Sequence, residues 1–443
     1  MKTSSLWQSK LGFILASAGA AVGLGNIQRF PYIVANYGGG AFLFVYLLCV
    51  LLIGIPLILS EFSLGRLFKK NPALIFEESL PQNKFFKFIS LLPILVPFFI
   101  FSYYLTMSAW TFSYTCSSVL KGGHSINDIT SNGAVSLAST LGLLVLISLV
   151  LLKGVNKGIE SLSKILMPLL FVFMVALSIN SLMLDNASEG LKFFLTPDFS
   201  KIDAKLFIFA SGQAFFSLCV GEGVLMTYGS YTSKKDNLFS STLSIAFFDT
   251  IVAFMSGLII FPAIFSLGLP IEQGPTMIFD MMSKIFMSLP YGHLFLVCFF
   301  LVLCFAAITT CLALMEVVVN YLSETFLWNR KQSILIFCAA SLFLSLPISL
   351  SKGAVSFLSE MKLESFNITG LYEIMDFVWG TLGMIICGLL VAYIVGWKLA
   401  KITQKEVYQG SNLSPFVIKT WSYLVRYLCP VVILLILYFN FSS

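Results

Sequence analysis

Two runs of small residues could do chemistry in this chain. The first is Gly19-Ala20-Ala21-Val22-Gly23-Leu24-Gly25-Asn26, inside an apolar segment that spans about residues 11–36. The second is Ser217-Leu218-Cys219-Val220-Gly221-Glu222-Gly223, inside the segment 205–231. Each glycine weakens a helix by about 1 kcal/mol against Ala. In lipid a broken helix leaves N–H and C=O groups with no water to bond, so a break survives only inside protein or beside a polar cavity. There the freed groups can bind ligands. The N-terminus of a half-helix favours an anion such as a carboxylate. The C-terminal carbonyls of the other half favour a cation. One such run alone reads as close helix packing through Gly and Ala. Two runs, five helices apart and each beside a polar residue, point to a transporter site at the midplane for a zwitterion and a metal ion.

Ionisable residues within apolar segments are the next candidates, because a mid-membrane charge costs several kcal/mol unless paired or hydrated. They are Arg29, Glu61, Glu222, Asp249, Glu316, Asp376 and Arg426. Arg29 and Asp376 lie toward the same ends of their helices and could close over a cavity as an ion pair. Glu61 reads as structural, satisfying donors freed by the first break. Arg426 is as well explained by packing at the interface with its charge snorkelling outward. His124 and His293 sit near segment ends with no ligand pattern. No nucleophile–base pair and no H-E-x-x-H motif is present, so a membrane enzyme is not expected.

The elements that must position these residues are membrane helices. Of 443 residues, 58% are hydrophobic and 11% charged, about half the charge of a soluble domain. Mean hydropathy is +0.92. Apolar runs near 11–36, 41–66, 86–120, 134–152, 159–183, 205–231, 238–268, 287–323, 332–350, 371–397 and 415–440 predict about eleven spanning helices. Two five-helix repeats of opposite topology, 11–183 and 205–397, would carry the interrupted first and sixth helices, and 415–440 is an extra helix. The whole chain, 1–443, is then one membrane domain. The loops 184–204 and 351–370 read as polar connections without a fold of their own. The net charge of +6 is a loop bias and not a nucleic-acid signal. Arg66, Lys69, Lys70, Lys153, Lys157, Lys234, Lys235, Arg330, Lys331, Lys398 and Lys401 cluster on one side, which predicts a cytoplasmic N-terminus. The nine cysteines lie in or at apolar segments without C-x-x-C spacing, so neither disulfides nor zinc are expected. An N-terminal signal peptide is rejected because the apolar core ahead of the small residues is too short.

The stretches GAAVGLGNIQRFPY, NYGGGAFLFVY, GIPL, SEFSLGR, SYYLTMSAW, SGQAFFSL and FAAITTCLALM resemble the neurotransmitter:sodium symporters, in particular bacterial amino-acid transporters of the LeuT fold. The resemblance covers about residues 11–440. It implies an all-α integral membrane protein, sodium-coupled amino-acid transport by alternating access at the cell membrane, and a monomer or weak dimer. Two sodium ions are implied. One would use the Ala21 carbonyl, Asn26, Ser217, Asp249 and the substrate carboxylate. The other would use the Gly19, Val22 and Ala306 carbonyls with Thr309 and Thr310. The substrate carboxylate would meet the Leu24 and Gly25 N–H groups and Tyr104. Its amine would meet the carbonyls of Ala21, Phe216 and Ser217. Ile100, Tyr104, Phe216, Cys219, Glu222, Thr310 and Leu314 would line the side-chain pocket. Phe216 would be a lid, Arg29–Asp376 the outer gate, and Trp7 and Glu324 inner-gate positions.

Three departures from the family pattern matter. The inner-gate arginine expected near Ser4 is absent, with Lys2 as a substitute. Asp249 stands where the family has an Asn, and Ala253 where animal members have a chloride-site serine, while Tyr46, Gln213 and Ser217 keep the rest of that site. A fixed carboxylate there predicts transport without chloride. Glu222 replaces an apolar residue. It could pair with a cationic substrate side chain such as lysine, ornithine or arginine. It could instead hold a proton, or turn aside to Thr310, Cys219 or water with a neutral substrate. A non-transporting sensor of the same fold is the rival from another class.

Overall fold

The computed structural model describes residues 7–120, 126–268, 277–287, 291–366, 368–411 and 413–442; Lys2, Ser4 and His124 lie outside them. The chain forms α1a (Lys10–Ala21), α1b (Gly25–Asn36), α2 (Gly40–Phe68), α3 (Lys84–Val119), α4 (Gly133–Leu152) and α5 (Val155–Leu182). There follow α6a (Ala204–Ser217), α6b (Val224–Ser230), α7 (Leu238–Leu267), α8 (Gly292–Thr325), α9 (Arg330–Leu350), α10 (Leu371–Lys398) and α11 (Pro415–Phe441). Among the described residues nine unbroken helices are long and apolar enough to cross a membrane. With the interrupted α1 and α6 they make the eleven expected.

The starts follow from local chemistry. Ser9, Asp203, Asn237 and Asn329 each accept a backbone N–H from the first turn of the helix that follows. At α9 the arrangement is reciprocal, since Gln332 also accepts the Asn329 N–H at 3.2 Å. These caps satisfy amides that would otherwise face the membrane boundary unbonded.

Helix α3 runs along α8, α2 along α6b, and α5 along α7 and α8. Helices α2 and α6b touch backbone to backbone. A Cβ on Gly65 would lie 2.0 Å from the Met226 carbonyl oxygen, and one on Gly229 would lie 2.8 Å from that of Phe62. Small residues permit such contact, and van der Waals packing then holds the helices in lipid.

Below this contact Arg66 is fully buried. Its Nε meets Glu406 Oε1 at 2.6 Å, and Nη1 donates to the Asp236 carbonyl at 2.6 Å. Nη2 donates to the carbonyls of Glu406 and Gln409. The guanidinium thus fastens α2 to the α6b–α7 loop and to the short helix Ala400–Tyr408. Breaking such a buried pair from one side costs about 3–5 kcal/mol.

The two long loops do have structure, contrary to expectation. Residues 184–204 contain a helix, Ala187–Leu195, with Phe194 fully buried and Gly190 against the Phe261 carbonyl of α7. Residues 351–370 contain an antiparallel pair, Lys362–Leu363 with Ile368–Thr369. Both segments are too short for their pattern to stand out from loop composition. The apolar run expected over 287–323 is the single helix α8, and a further helix, Met277–Met287, precedes it.

Candidate functional site

Helix α1a ends at Ala21, and Val22 leaves the helix with ψ 94° while its N–H still reaches Ala18 O at 2.7 Å. The two halves of α1 are bent by 52°. In α6 the regular helix stops at Ser217 and resumes at Val224. Between them Cys219, Gly221 and Gly223 have φ of 51°, 86° and 71°. Glycine suits that left-handed backbone, whereas Cys219 adopts it at a steric cost. Glu61 supports this second break and not the first, because its Oε1 accepts the Gly221 N–H at 2.7 Å. The donors of the first break are satisfied locally. Gly23 N–H reaches Asn26 Oδ1 at 3.1 Å and Leu24 N–H reaches the Tyr104 hydroxyl at 3.0 Å.

Around the breaks lies a cluster of buried oxygens. Asn26 Nδ2 donates to Ser217 Oγ at 2.9 Å and to Asp249 Oδ1 at 2.7 Å. Ser217 Oγ lies 2.8 Å from Asp249 Oδ2, and the Tyr46 hydroxyl lies 3.5 Å from the same oxygen. Gln213 donates to the Gly25 carbonyl at 3.2 Å. Asp249 is fully buried, and its hydrogen-bond partners are all neutral. A carboxylate so placed calls for a cation, and hard oxygen donors suit an alkali ion.

The second expected set is assembled in part. A Cβ on Gly19 would lie 3.1 Å from Thr309 Cβ, so α1a and α8 meet there. Thr310 Oγ1 lies 3.1 Å from Ala20 O and 3.5 Å from Gly19 O. The Thr309 hydroxyl bonds Phe305 O and Ala306 O of its own helix, each at 3.0 Å. Val22 is buried beside them in the break.

Between the breaks is a narrow cavity with about 330 Å³ of empty space, little of it wide enough for a water. Ala21, Gly25, Asn26, Ile100, Tyr104, Phe216, Ser217, Cys219, Glu222, Thr310 and Leu314 line it. Ala20 and Gly23, members of the first small-residue run to which the resemblance assigned no role, join them. A Cβ on Gly23 would come within 2.8 Å of the Tyr104 hydroxyl, so the close approach requires glycine. Leu24 is not among the lining residues. It borders the vestibule on the far side, and its N–H is occupied by Tyr104. Glu222 is 4% exposed, and its Oε2 has no hydrogen-bond partner. No Lys or Arg lines this cavity.

The vestibule, about 1070 Å³ of empty space, runs along α1b past Arg29 to Tyr37. Gly25, Tyr104 and Phe216 border both spaces, so the Phe216 ring is part of the partition. The Arg29 guanidinium sits 4.5 Å from the centre of that ring. Arg29 and Asp376 flank the vestibule without a direct ion pair.

At the opposite face Trp7 packs against Phe13, Tyr228 and Tyr231, and its Nε1 donates to Tyr228 O at 3.2 Å. Glu324 does not reach this segment; its Oε2 accepts from the Asn71 backbone N–H at 2.8 Å and from Asn71 Nδ2 at 3.0 Å. Glu316, one of the ionisable residues singled out within the apolar segments, is paired with Arg330 at 2.6 Å and accepts the Tyr231 hydroxyl at 2.9 Å. The tight α8–α9 hairpin brings Arg330 back to it. Arg426 packs near the rings of Trp397 and Tyr427, in line with an interfacial role. His293 Nε2 lies 2.7 Å from Ser118 O, away from the cavity. Sequence reasoning missed Glu160, which is fully buried beside the start of α1a.

Comparison with known proteins agrees with this geometry. An uncharacterised sodium-dependent transporter of Bacillus subtilis, YhdH, is 35% identical over 97% of this chain and 96% of its own length. One from Haemophilus influenzae is 32% identical over 99% of this chain and 98% of its own. The crystal structure of MhsT in complex with L-phenylalanine superposes with a TM-score of 0.89 at 34% identity, covering 99% of this chain and all of that one. The fold is thus the LeuT fold, and the relatives are transporters and not enzymes. The profile of the sodium:neurotransmitter symporter family matches residues 4–124 and 119–443, and the chain belongs to that family.

Proposed function

We propose that this protein is a sodium-coupled amino-acid symporter whose favoured substrate carries a cationic side chain. The observation that carries the reading is Glu222, a buried carboxylate oxygen without a partner in a cavity that holds no basic residue. Such a group is stable only with a proton or a positive partner. A lysine-like side chain is that partner. The substrate amine would meet the carbonyls of Ala21, Phe216 and Ser217, and the carboxylate would meet the Gly25 N–H and the Tyr104 hydroxyl and complete a sodium shell with Ala21, Asn26, Ser217 and Asp249. A second sodium would sit among Gly19, Val22, Ala306, Thr309 and Thr310. Binding of each ligand would then raise the affinity for the other by the same factor.

In this reading the N-terminus is cytoplasmic, the repeats are 11–183 and 205–397, and 415–440 stands outside them. Phe216 and then Arg29 with Asp376 close over the substrate, and release of the second sodium frees α1a and α5 to open inward. The second reading is a neutral substrate, favoured by the phenylalanine bound to MhsT. Uptake of labelled lysine and leucine into proteoliposomes under an inward sodium gradient separates the two. Lysine uptake well above leucine uptake is the expected result, and leucine carried with lysine ignored ends the cationic reading. Binding without flux of either would favour a sensor.

Chloride is expected to be dispensable, because Asp249 supplies a fixed negative charge at the first sodium position. Replacing chloride by gluconate on both sides should leave sodium-driven uptake unchanged. A loss of uptake would count against that role for Asp249.

A further inference from the structure

The positions that would carry the arginine-based inner gate, Lys2 and Ser4, lie outside the described residues, and Glu324 is engaged by Asn71. Among the described residues the start of α1a is also held from α5. We propose that Glu160 of α5 is the latch that keeps this end of the protein shut. The proposal rests on the alternating-access reading but not on the identity of the substrate.

Glu160 closes a turn of π-helix, Val155–Glu160, at the foot of α5. Its side chain is completely buried. Oε2 accepts the Gln8 backbone N–H at 2.9 Å, and Oε1 accepts the Ser9 hydroxyl at 3.0 Å. Ser9 is also the N-cap of α1a, its Oγ accepting the Gly12 N–H at 3.0 Å. The carboxylate therefore binds the cap residue and the amide just before it, beside the positive end of a 12-residue helix. Lys164, one turn along α5, meets Oε1 at 2.7 Å and is 34% exposed. It balances the buried charge and keeps a path to water.

Gly12 makes the fit possible. A Cβ there would lie 2.0 Å from Glu160 Oε1. No other residue type could occupy that turn with the carboxylate in place. On one side of the latch is α1a, which must swing to open the cytoplasmic path. On the other is a stretch of α5 whose wide helical turn is already weaker than a regular one. Bonds to a charged group are the stronger kind, so two of them across this junction bias the closed state appreciably. Separation of α1a from α5 breaks both together.

The test is hydrogen–deuterium exchange of the full-length purified protein in nanodiscs, in sodium chloride and in potassium chloride, with no amino acid added. Variants attack the latch from both sides: Glu160→Gln, Ser9→Ala and Gly12→Ala. In potassium, each should speed exchange selectively in the peptide covering residues 8–21. The expected loss of protection is roughly tenfold for Glu160→Gln, the size of one charged hydrogen bond. Sodium should restore protection in the variants, at a higher concentration than the wild type needs. Unchanged exchange over 8–21 in all three variants overturns the proposal. So does a uniform rise across the other helices, which a general loss of stability would give. A selective rise in the variants with no sodium protection in the wild type supports the latch and overturns the sodium reading instead.

Discussion

In an Asp249→Ala variant, sodium is expected to stop raising substrate affinity, and uptake should fall to background. Asp249 is the one charge in the cluster it forms with Asn26, Ser217 and Tyr46. A unit charge about 3 Å from a cation is worth about 5 kcal/mol at an effective dielectric of ~20. Desolvation of the ion offsets part of that. If half survives, removal weakens sodium binding by about a hundredfold. The truncation also strands the Ser217 hydroxyl, a buried donor then without its acceptor, and removes one of the acceptors of the Asn26 amide. Asp249→Asn separates the two effects, since it keeps the shape and loses the charge. Sodium titration of substrate binding reads both variants. An unchanged sodium response in Asp249→Ala would remove Asp249 from the first sodium position.

The second large effect is expected at Glu222. In Glu222→Leu, lysine transport should be lost and leucine transport gained. Removing one partner of a desolvated ion pair costs about 2–5 kcal/mol, which is at least about thirtyfold in affinity. Glu222→Gln keeps the volume and a hydrogen-bonding end, so it isolates the charge. Competition of unlabelled lysine and leucine against a labelled substrate gives both affinities in one assay. Lysine affinity unchanged in Glu222→Gln would mean that the carboxylate turns away from the substrate side chain. The Cys219 thiol bonds the Glu222 carboxylate and only Oε2 is without a partner, so neither change removes a structural bond from Oε2.

What was legible in the sequence were features written locally. The α1 break shows as three glycines in seven residues, and the α6 break as two glycines around Glu222. Both appear where expected. The span boundaries follow from long apolar runs and differ by a few residues. The cavity lining was legible because the resemblance fixes register on regular helices, where one correct residue places its whole turn.

What was not legible depends on partners far apart in the chain. Glu61 was assigned to the first break, but its acceptor oxygen faces Gly221, 160 residues away. Nothing periodic encodes that pairing. The partner of Glu316 was not legible because Arg330 lies beyond a turn whose tightness is not visible in composition. Leu24 was placed by its N–H, and the fold spends that N–H on Tyr104 and directs the residue to the vestibule. Glu160 escaped notice because it stands at the mouth of a segment that reads as loop.

The Arg66 clasp has a consequence for how the protein is made. Its acceptor, Glu406, is 340 residues downstream, so at ribosomal speeds of about 5–20 residues per second it follows by roughly 20–70 s. During that interval the second helix is already threaded while its guanidinium lacks its carboxylate. The nascent chain must keep that cationic tip in headgroup water until nearly all the remaining segments have been inserted. Final docking of the α2 foot is therefore a post-insertion event, and a ribosome stalled before Glu406 leaves it unfinished.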